Sequence, residues 1–296
     1  MQKISVIVPF YNAEKYLRSC ITALLSQDAS QENYEVILVD NNSTDSSVAI
    51  AKQFPRVKVL SESRQGAYAA RNTGLAEARG EIIAFTDADC LPDRDWLRNM
   101  GTTMQSAQVR LVLGSRLWAH KPSALLSMLE TYENQKVEFM VKSHIKELYY
   151  GYTNNMAVQR EVFDTLGPFE ERSRGADTLL VRRTIDAYSY EAVCYAPSVR
   201  VRHLEIGSVW KHYQKMWVYG RSNLLSGREV FLRSFNYRER PLNRHEAQQV
   251  FEETVRREGY SKLRTRLLAF LTMLEACAYL SGQWAARWHL YRHPRA

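Results

Sequence analysis

The first part of the chain alternates short apolar runs of β type with helical patterns, and this alternation limits the fold more than any other feature. "ISVIVPF" precedes a helical pattern at 14–26, "YEVILVD" one at 46–54, "VKVL" one at 67–79 and "EIIAFTD" one at 93–107. Such alternation predicts successive βα units feeding a parallel sheet. In open sheets of that kind ligands bind beyond the carboxyl ends of the strands. Three turns carry candidate groups there: Pro9, Tyr11 and Asn12 after the first run, Asp40 to Asn42 after the second, and Asp87 with Asp89 after the fourth. Ser43 or Thr44 is expected to cap the helix that follows the second turn.

Beyond a fifth strand at 109–115 the pattern loosens. A long helix is expected at 125–141. "GYTNNMAV" reads as a turn entering a short strand, and 178–187 as another helix. Residues 190–203 read as two short strands broken at Pro197, and the chain is helical from 205 onward, with a polar interval at 233–244. The expected division is an α/β domain over 1–205 and a helical region over 206–296.

Composition narrows the class. With 296 residues and 45% hydrophobic content the chain can bury a large core. Forty Lys and Arg against 32 Asp and Glu give a formal +8, with the excess concentrated at 256–266 and 287–295. A basic surface suits phosphorylated ligands, anionic lipids or nucleic acid, and equally a plain solvated face. The four cysteines have neither zinc-ligand nor CxxC spacing, which argues for a reducing compartment. "MQKISVIVPFYN" turns polar too soon for a secretory signal, so a cytoplasmic location, at the inner face of a membrane or free of it, is expected. The apolar stretch 267–280 is shorter than a bilayer span and contains Glu275.

"FTDADC" at 85–90 places two carboxylates where a buried strand surfaces. A second DxD, Asp93 and Asp95 in "PDRDWL", reads instead as charge at a helix N-terminus. Two carboxylates brought together without a cation raise the pKa of at least one, and a divalent ion resolves the conflict. Hard oxygen ligands suit Mg2+ or Mn2+, with phosphate completing the shell.

The segments "SVIVPFYNAEKYLRSCITALLSQ", "YEVILVDNNSTDSS", "GAYAARNTGLAEARGEIIAFTDADC" and "GPFEE" resemble glycosyltransferase family 2 on the GT-A fold, a Rossmann-like, mostly parallel sheet flanked by helices. The resemblance is strong over 3–115, recognisable to about 205 and faint beyond. It implies an inverting transferase that uses a nucleoside-diphosphate sugar, a UDP-sugar first among them. By matching, Pro9, Tyr11 and Glu14 line a nucleoside pocket and Asp40 accepts from the base. Asn42 belongs to the same turn, although the family's "VDDGS" pattern is replaced here by Asn41 and Asn42. Gly66 admits close backbone approach, Arg71 holds the diphosphate, Asp87 faces ribose or metal-bound water, and Asp89 and the late His203 hold the metal. Asp177 keeps the position of the family's catalytic base, after Gly175, without the usual preceding glutamate.

The same comparison makes Gly151, Tyr152, Asn154 and Asn155 candidates for donor sugar or acceptor contact, with turn chemistry as an equal reading. Cys90 has no histidine near it in sequence, and a buried structural thiol is the commoner state. Trp210, Tyr213, Trp217 and Tyr219 among Lys211, Lys215 and Arg221 suggest a peripheral membrane contact or a lipid-linked acceptor, with Trp217 and Arg221 as acceptor candidates. "QKMW" lacks the arginine of the processive Gln-x-x-Arg-Trp element, so one sugar per encounter is expected. A nucleotidyltransferase would need a glycine-rich basic loop that "PFYNAEKY" does not offer. A non-catalytic membrane or nucleic-acid binding protein on a degenerate transferase fold is the alternative from another class. For the transferase itself no nucleic acid partner is expected.

Overall fold

The computed structural model of the protein describes residues 3–118, 123–172, 174–231 and 242–292. The chain forms two compact units, one of residues 1–117 with 149–204, the other of 118–148 with 205–296.

The first unit is built on an eight-stranded sheet. Its strands are β1 (Ile4–Phe10), β2 (Tyr34–Asp40), β3 (Val57–Ser61), β4 (Ile82–Thr86), β5 (Cys90–Pro92), β6 (Leu111–Trp118), β7 (Asn155–Gln159) and β8 (Val193–His203), in the spatial order 3-2-1-4-7-6-8-5. The first four pair in parallel. β7 then runs antiparallel to β4 and to β6, and β5 antiparallel to β8. β1 and β4 are buried along their whole length, and continuous apolar runs are what a strand covered on both faces requires. The helices are α1 (Leu17–Leu25), α2 (Ser47–Ala51), α3 (Ala67–Glu77), α4 (Trp96–Thr103), α6 (Arg160–Leu166) and α7 (Ala176–Ala187). The core gathers the sheet with Leu17, Ile21, Leu24, Trp96, Leu97 and Met100 of α1 and α4.

Residues 193–203 form one strand rather than two. Pro197 is exposed and lies outside the stretch of β8 that β5 pairs with, residues 201–203, so its missing N–H takes no ladder bond from β5. The cap expected at Ser43 or Thr44 is also replaced: the N-cap of α2 is Ser46, and the hydroxyls of Ser43 and Ser47 accept from the backbone N–H groups of Asn12 and Ala13. Asp95 is the N-cap of α4 but caps nothing with its side chain, and Asp93 pairs with Arg200 at 2.7 Å.

The second unit is helical: α5 (Ala124–Ser143), α8 (Val209–Phe231), α9 (Arg244–Glu258) and α10 (Lys262–Arg292). The single boundary drawn near 205 therefore misses α5, which leaves the sheet unit and packs with the C-terminal helices around Trp118, Leu126, Leu129, Val250, Leu268 and Leu271. Alternation along the sequence cannot reveal such an excursion, because α5 is followed by a return to the sheet. α9 opens with a capping box in which Asn243 and Glu246 satisfy each other's backbone N–H. Of the polar interval expected at 233–244, residues 233–241 lie outside the described residues.

Candidate active site

The parallel register brings the ends of β1 and β2 side by side, Phe10 opposite Asp40, so the two following loops share one rim. Pro9 is buried in the strand, whereas Tyr11 is 53% exposed. Asp40 is buried, with one carboxylate oxygen accepting from the Ser43 N–H at 3.1 Å, and nothing among the described residues hydrogen-bonds the other. Glu14 lies on the same rim, and its carboxylate accepts from the Ser46 N–H at 3.1 Å at the start of α2. That bond ties the two loops together. Asn12 does the same through its side-chain oxygen and the Thr44 N–H.

The asparagines that break the "VDDGS" pattern have separate structural reasons. Asn42 sits at φ 68°, the left-handed region that asparagine tolerates better than most residues, where the pattern has glycine. Asn41 is buried, and its amide donates to the carbonyls of Glu62 (2.9 Å) and Arg64 (2.8 Å) while its oxygen accepts from the Gly66 N–H (2.7 Å). A carboxylate could accept from Gly66 but could not donate to two carbonyls. Asn41 thus fastens the β3–α3 loop, and Gly66, at φ 136°, enters α3 from it.

Arg71 of α3 is buried, and its Nη2 donates to Asp87 Oδ1 at 2.6 Å. Its Nε–H is buried without a hydrogen-bond partner among the described residues. The guanidinium lies 5.5 Å from the Tyr68 ring, one helical turn earlier. Next to Arg71, Asn72 clamps the backbone of Phe169 from both sides, donating to its carbonyl at 2.8 Å and accepting from its N–H at 3.0 Å. The "ARN" and "GPFEE" segments therefore form one structural joint.

Antiparallel pairing of β5 with β8 sets Cys90 opposite His203 and so brings His203 beside Asp89. His203 is buried, with Nδ1 3.4 Å from Asp89 Oδ2. The ligand atoms of Asp89, Cys90 and His203 all lie within 4.8 Å of one another. Burial and the charges of Asp89 and Asp87 push the Cys90 thiol well above its ordinary range, which holds it as an unreactive thiol. The oxygen and nitrogen donors that remain are of the kind Mn2+ or Mg2+ accepts. The donor set thus fits a divalent cation.

Asp177 lies in the first turn of α7, behind Gly175, whose φ of 81° is one that residues with a side chain adopt only rarely. Gly151 packs against this turn so closely that a Cβ there would meet the Asp177 carbonyl oxygen at 2.5 Å. Desolvation pushes the Asp177 carboxyl above the usual carboxylate range, opposed by a hydrogen bond from Tyr68, the Thr178 N–H and the Arg71 charge. Burial likewise raises the Tyr68 phenol, so it stays protonated as a donor. Tyr68 was missed from sequence, although its spacing of three from Arg71 on one helix face was the available signal.

The structure does not bring every candidate to this rim. Asn155 spends its amide inside the core, accepting from Trp96 Nε1 and donating to the carbonyls of Ser115 and Val199. Tyr152 is buried, its hydroxyl donating to the Gly114 carbonyl at 2.8 Å and its ring 4.0 Å from the Arg116 guanidinium. Both are framework residues. Asn154 keeps a buried side-chain oxygen without a hydrogen-bond partner among the described residues, while its backbone carbonyl accepts from Thr86 at the end of β4. Trp217 and Arg221 belong to the second unit, where the guanidinium of Arg221 lies 5.8 Å from the Trp217 ring.

The candidate site thus combines a βα sheet, an acidic loop after β2, a buried arginine on α3 and an Asp-His pair past β4. Residues 5–167 match the model of glycosyl transferase family 2, and the chain belongs to that family. Among curated relatives, glycosyltransferase AglE of Haloferax volcanii is 33% identical over 190 residues, 62% of this chain and 62% of that protein. The chain thus spans under two thirds of that relative. In fold it is similar to the mannosyltransferase PcManGT from Pyrobaculum calidifontis, solved with GDP-Man and Mn2+, at TM-score 0.59, 20% identity, and coverage of 99% of this chain and 76% of that one. It is also similar to residues 1–349 of S. aureus TarS, solved with UDP, at TM-score 0.54, 19% identity, and coverage of 99% and 92%. The chain is thus a member of glycosyl transferase family 2 with the GT-A fold.

Proposed function

We propose that the protein transfers one sugar from a nucleoside-diphosphate sugar, a UDP-sugar first among them, to a hydroxyl of a glycan or lipid-linked acceptor, with inversion at the anomeric carbon. The observation that carries this reading is the buried Arg71, its Nε–H without a partner among the described residues and its Nη2 on Asp87, two residues from Asp89 of the Asp89–His203 pair. A buried guanidinium with a donor to spare suits a bidentate contact with a diphosphate.

On this reading the unpartnered oxygen of Asp40 takes a base N–H, and Tyr11 and Asn42 border the nucleoside. Gly66 lets the protein backbone approach the nucleotide closely. Asp89 and His203 would hold Mn2+ or Mg2+, which supplies positive charge against the departing diphosphate when bound. Arg71 adds charge from the protein where the leaving group becomes anionic. Asp177 takes the proton of the acceptor hydroxyl as its oxygen attacks, and its raised pKa suits a base that must receive a proton. Tyr68 orients the carboxylate by its hydrogen bond.

A thermal-shift screen of UDP- and GDP-sugars with and without Mn2+ tests base, sugar and metal together through ligand-linked stabilisation. A donor that stabilises only with Mn2+, and is turned over to free nucleotide, supports the reading. A set of donors of which none binds or turns over favours the non-catalytic alternative.

A further inference from the structure

We propose that the outward side of α10 is a docking surface for the interface of an anionic lipid bilayer. α10 is 31 residues long, about 46 Å at helical rise. Its buried residues, Leu268, Leu271, Glu275, Gly282 and Ala286, share one face and pack into the helical unit. Phe270, Met273, Leu280, Trp284, Trp288 and Tyr291 recur at spacings of three, four and seven, and each is at least 52% exposed. At 100° per residue this second stripe lies roughly opposite the buried one, so α10 is apolar on two sides. One side faces the core. The other has no cover among the described residues.

Charge selects the occupant. α10 carries five Lys and Arg, namely Lys262, Arg264, Arg266, Arg287 and Arg292, and one acidic residue, Glu275. Glu275 is buried and pairs with Lys136 at 2.9 Å and His212 at 3.2 Å, so the charge α10 presents outward is wholly positive. A second copy packed along the same stripe would set arginine against arginine with no carboxylate of α10 to answer it. Anionic headgroups supply the missing countercharge, and Trp and Tyr are suited to the headgroup level. No helix among the described residues is long and apolar enough to cross a membrane, so α10 would lie along the interface.

The sequence directed attention to the aromatics of α8, of which Trp210 (68%) and Trp217 (36%) are exposed while Tyr213 is held against α10, where the longer exposed stripe lies. Tyr213 donates its hydroxyl to the Leu271 carbonyl and His212 is fully buried. Gly220 and Gly282 let α8 and α10 touch backbone to backbone: a Cβ at Gly220 would meet the Tyr279 oxygen at 1.9 Å. Much of the α8 stretch is thereby spent on holding α10. The surface is independent of the transfer chemistry, because its test reads lipid binding alone.

The test is flotation of the full chain with phosphatidylcholine vesicles, with and without phosphatidylglycerol, at low and high salt. Co-flotation only with phosphatidylglycerol is expected, weakened by salt and reduced about tenfold or more in Trp284→Ser/Trp288→Ser. Arg287→Glu/Arg292→Glu should weaken it without touching the apolar stripe. An unchanged circular dichroism melt shows that each variant is folded, as expected for exposed positions. Three results would overturn the proposal. These are no flotation with anionic vesicles, flotation unchanged in both variants, or a self-association in sedimentation velocity that Trp284→Ser/Trp288→Ser abolishes, which would identify a second copy as the occupant.

Discussion

At the scale of single residues, Asp177 and Asn41 illustrate two different kinds of site residue. Asp177→Asn removes the proposed base while keeping the shape of the side chain, and turnover should fall about 10²- to 10⁴-fold with donor KM little changed. The pH dependence has a definite sign. Only the carboxylate accepts a proton, so activity rises with pH through its pKa, and desolvation puts that limb above the ordinary aspartate range. Tyr68→Phe removes a hydrogen bond that favours the ionised form, so the acid limb of kcat should move to higher pH. A limb that stays in place would leave Tyr68 with packing alone. Asn41→Asp should cost about 1–3 kcal/mol in a denaturant melt, because the buried Glu62 carbonyl and the Arg64 carbonyl lose their donor. Asp40 and Asp89 stood out in the sequence because carboxylates just past apolar strand runs have few structural uses, whereas Arg71 on α3 and Asp177 on α7 were singled out through the family resemblance. The role of Asn41 could not, since its partners at 62, 64 and 66 come together only when β3 pairs with β2.

At the scale of elements, alternation of apolar runs and helical patterns marked β1 to β4 and their helices, since the period of buried residues is local to each element. β5 went unread. It is three residues long, and its pairing with β8 joins segments more than a hundred positions apart. The ion cluster joining α5, α8 and α10 was equally hidden. There Lys136 lies between Glu133 and Glu275, His212 pairs with Glu275, and the Trp118 ring packs against His212, tilted by 31° at 4.5 Å between centroids. Burial alone would raise both glutamates, but Lys136 and His212 hold Glu275 below the ordinary range, whereas burial and the neighbouring Glu275 raise Glu133. A depressed carboxylate contributes stability above its unfolded pKa and loses it as pH falls through the folded value. A raised one opposes folding as pH climbs from its unfolded value to its folded one. Glu275→Gln should therefore destabilise at neutral pH by about 3–5 kcal/mol, as when one partner of a buried pair is removed, and Glu133→Gln by clearly less. Chemical melts of the two variants followed by circular dichroism compare them directly. Equal losses would mean that the two carboxylates share the cations evenly.

At the scale of the whole molecule, the family match covers residues 5–167, the sheet unit runs on to 204, and the helical unit takes α5 out of the middle of it. The chemistry proposed for the first unit reduces to whether Asp89 and His203 bind a cation that in turn binds a nucleoside diphosphate beside Arg71. Calorimetric titration of UDP and of GDP into the wild-type chain and Asp89→Ala, each with Mn2+ and with EDTA, addresses this directly. Binding of one nucleotide that requires Mn2+ and disappears in Asp89→Ala is the expected result. Binding of equal strength in EDTA, or in Asp89→Ala with Mn2+ present, would contradict a metal-held diphosphate at this site.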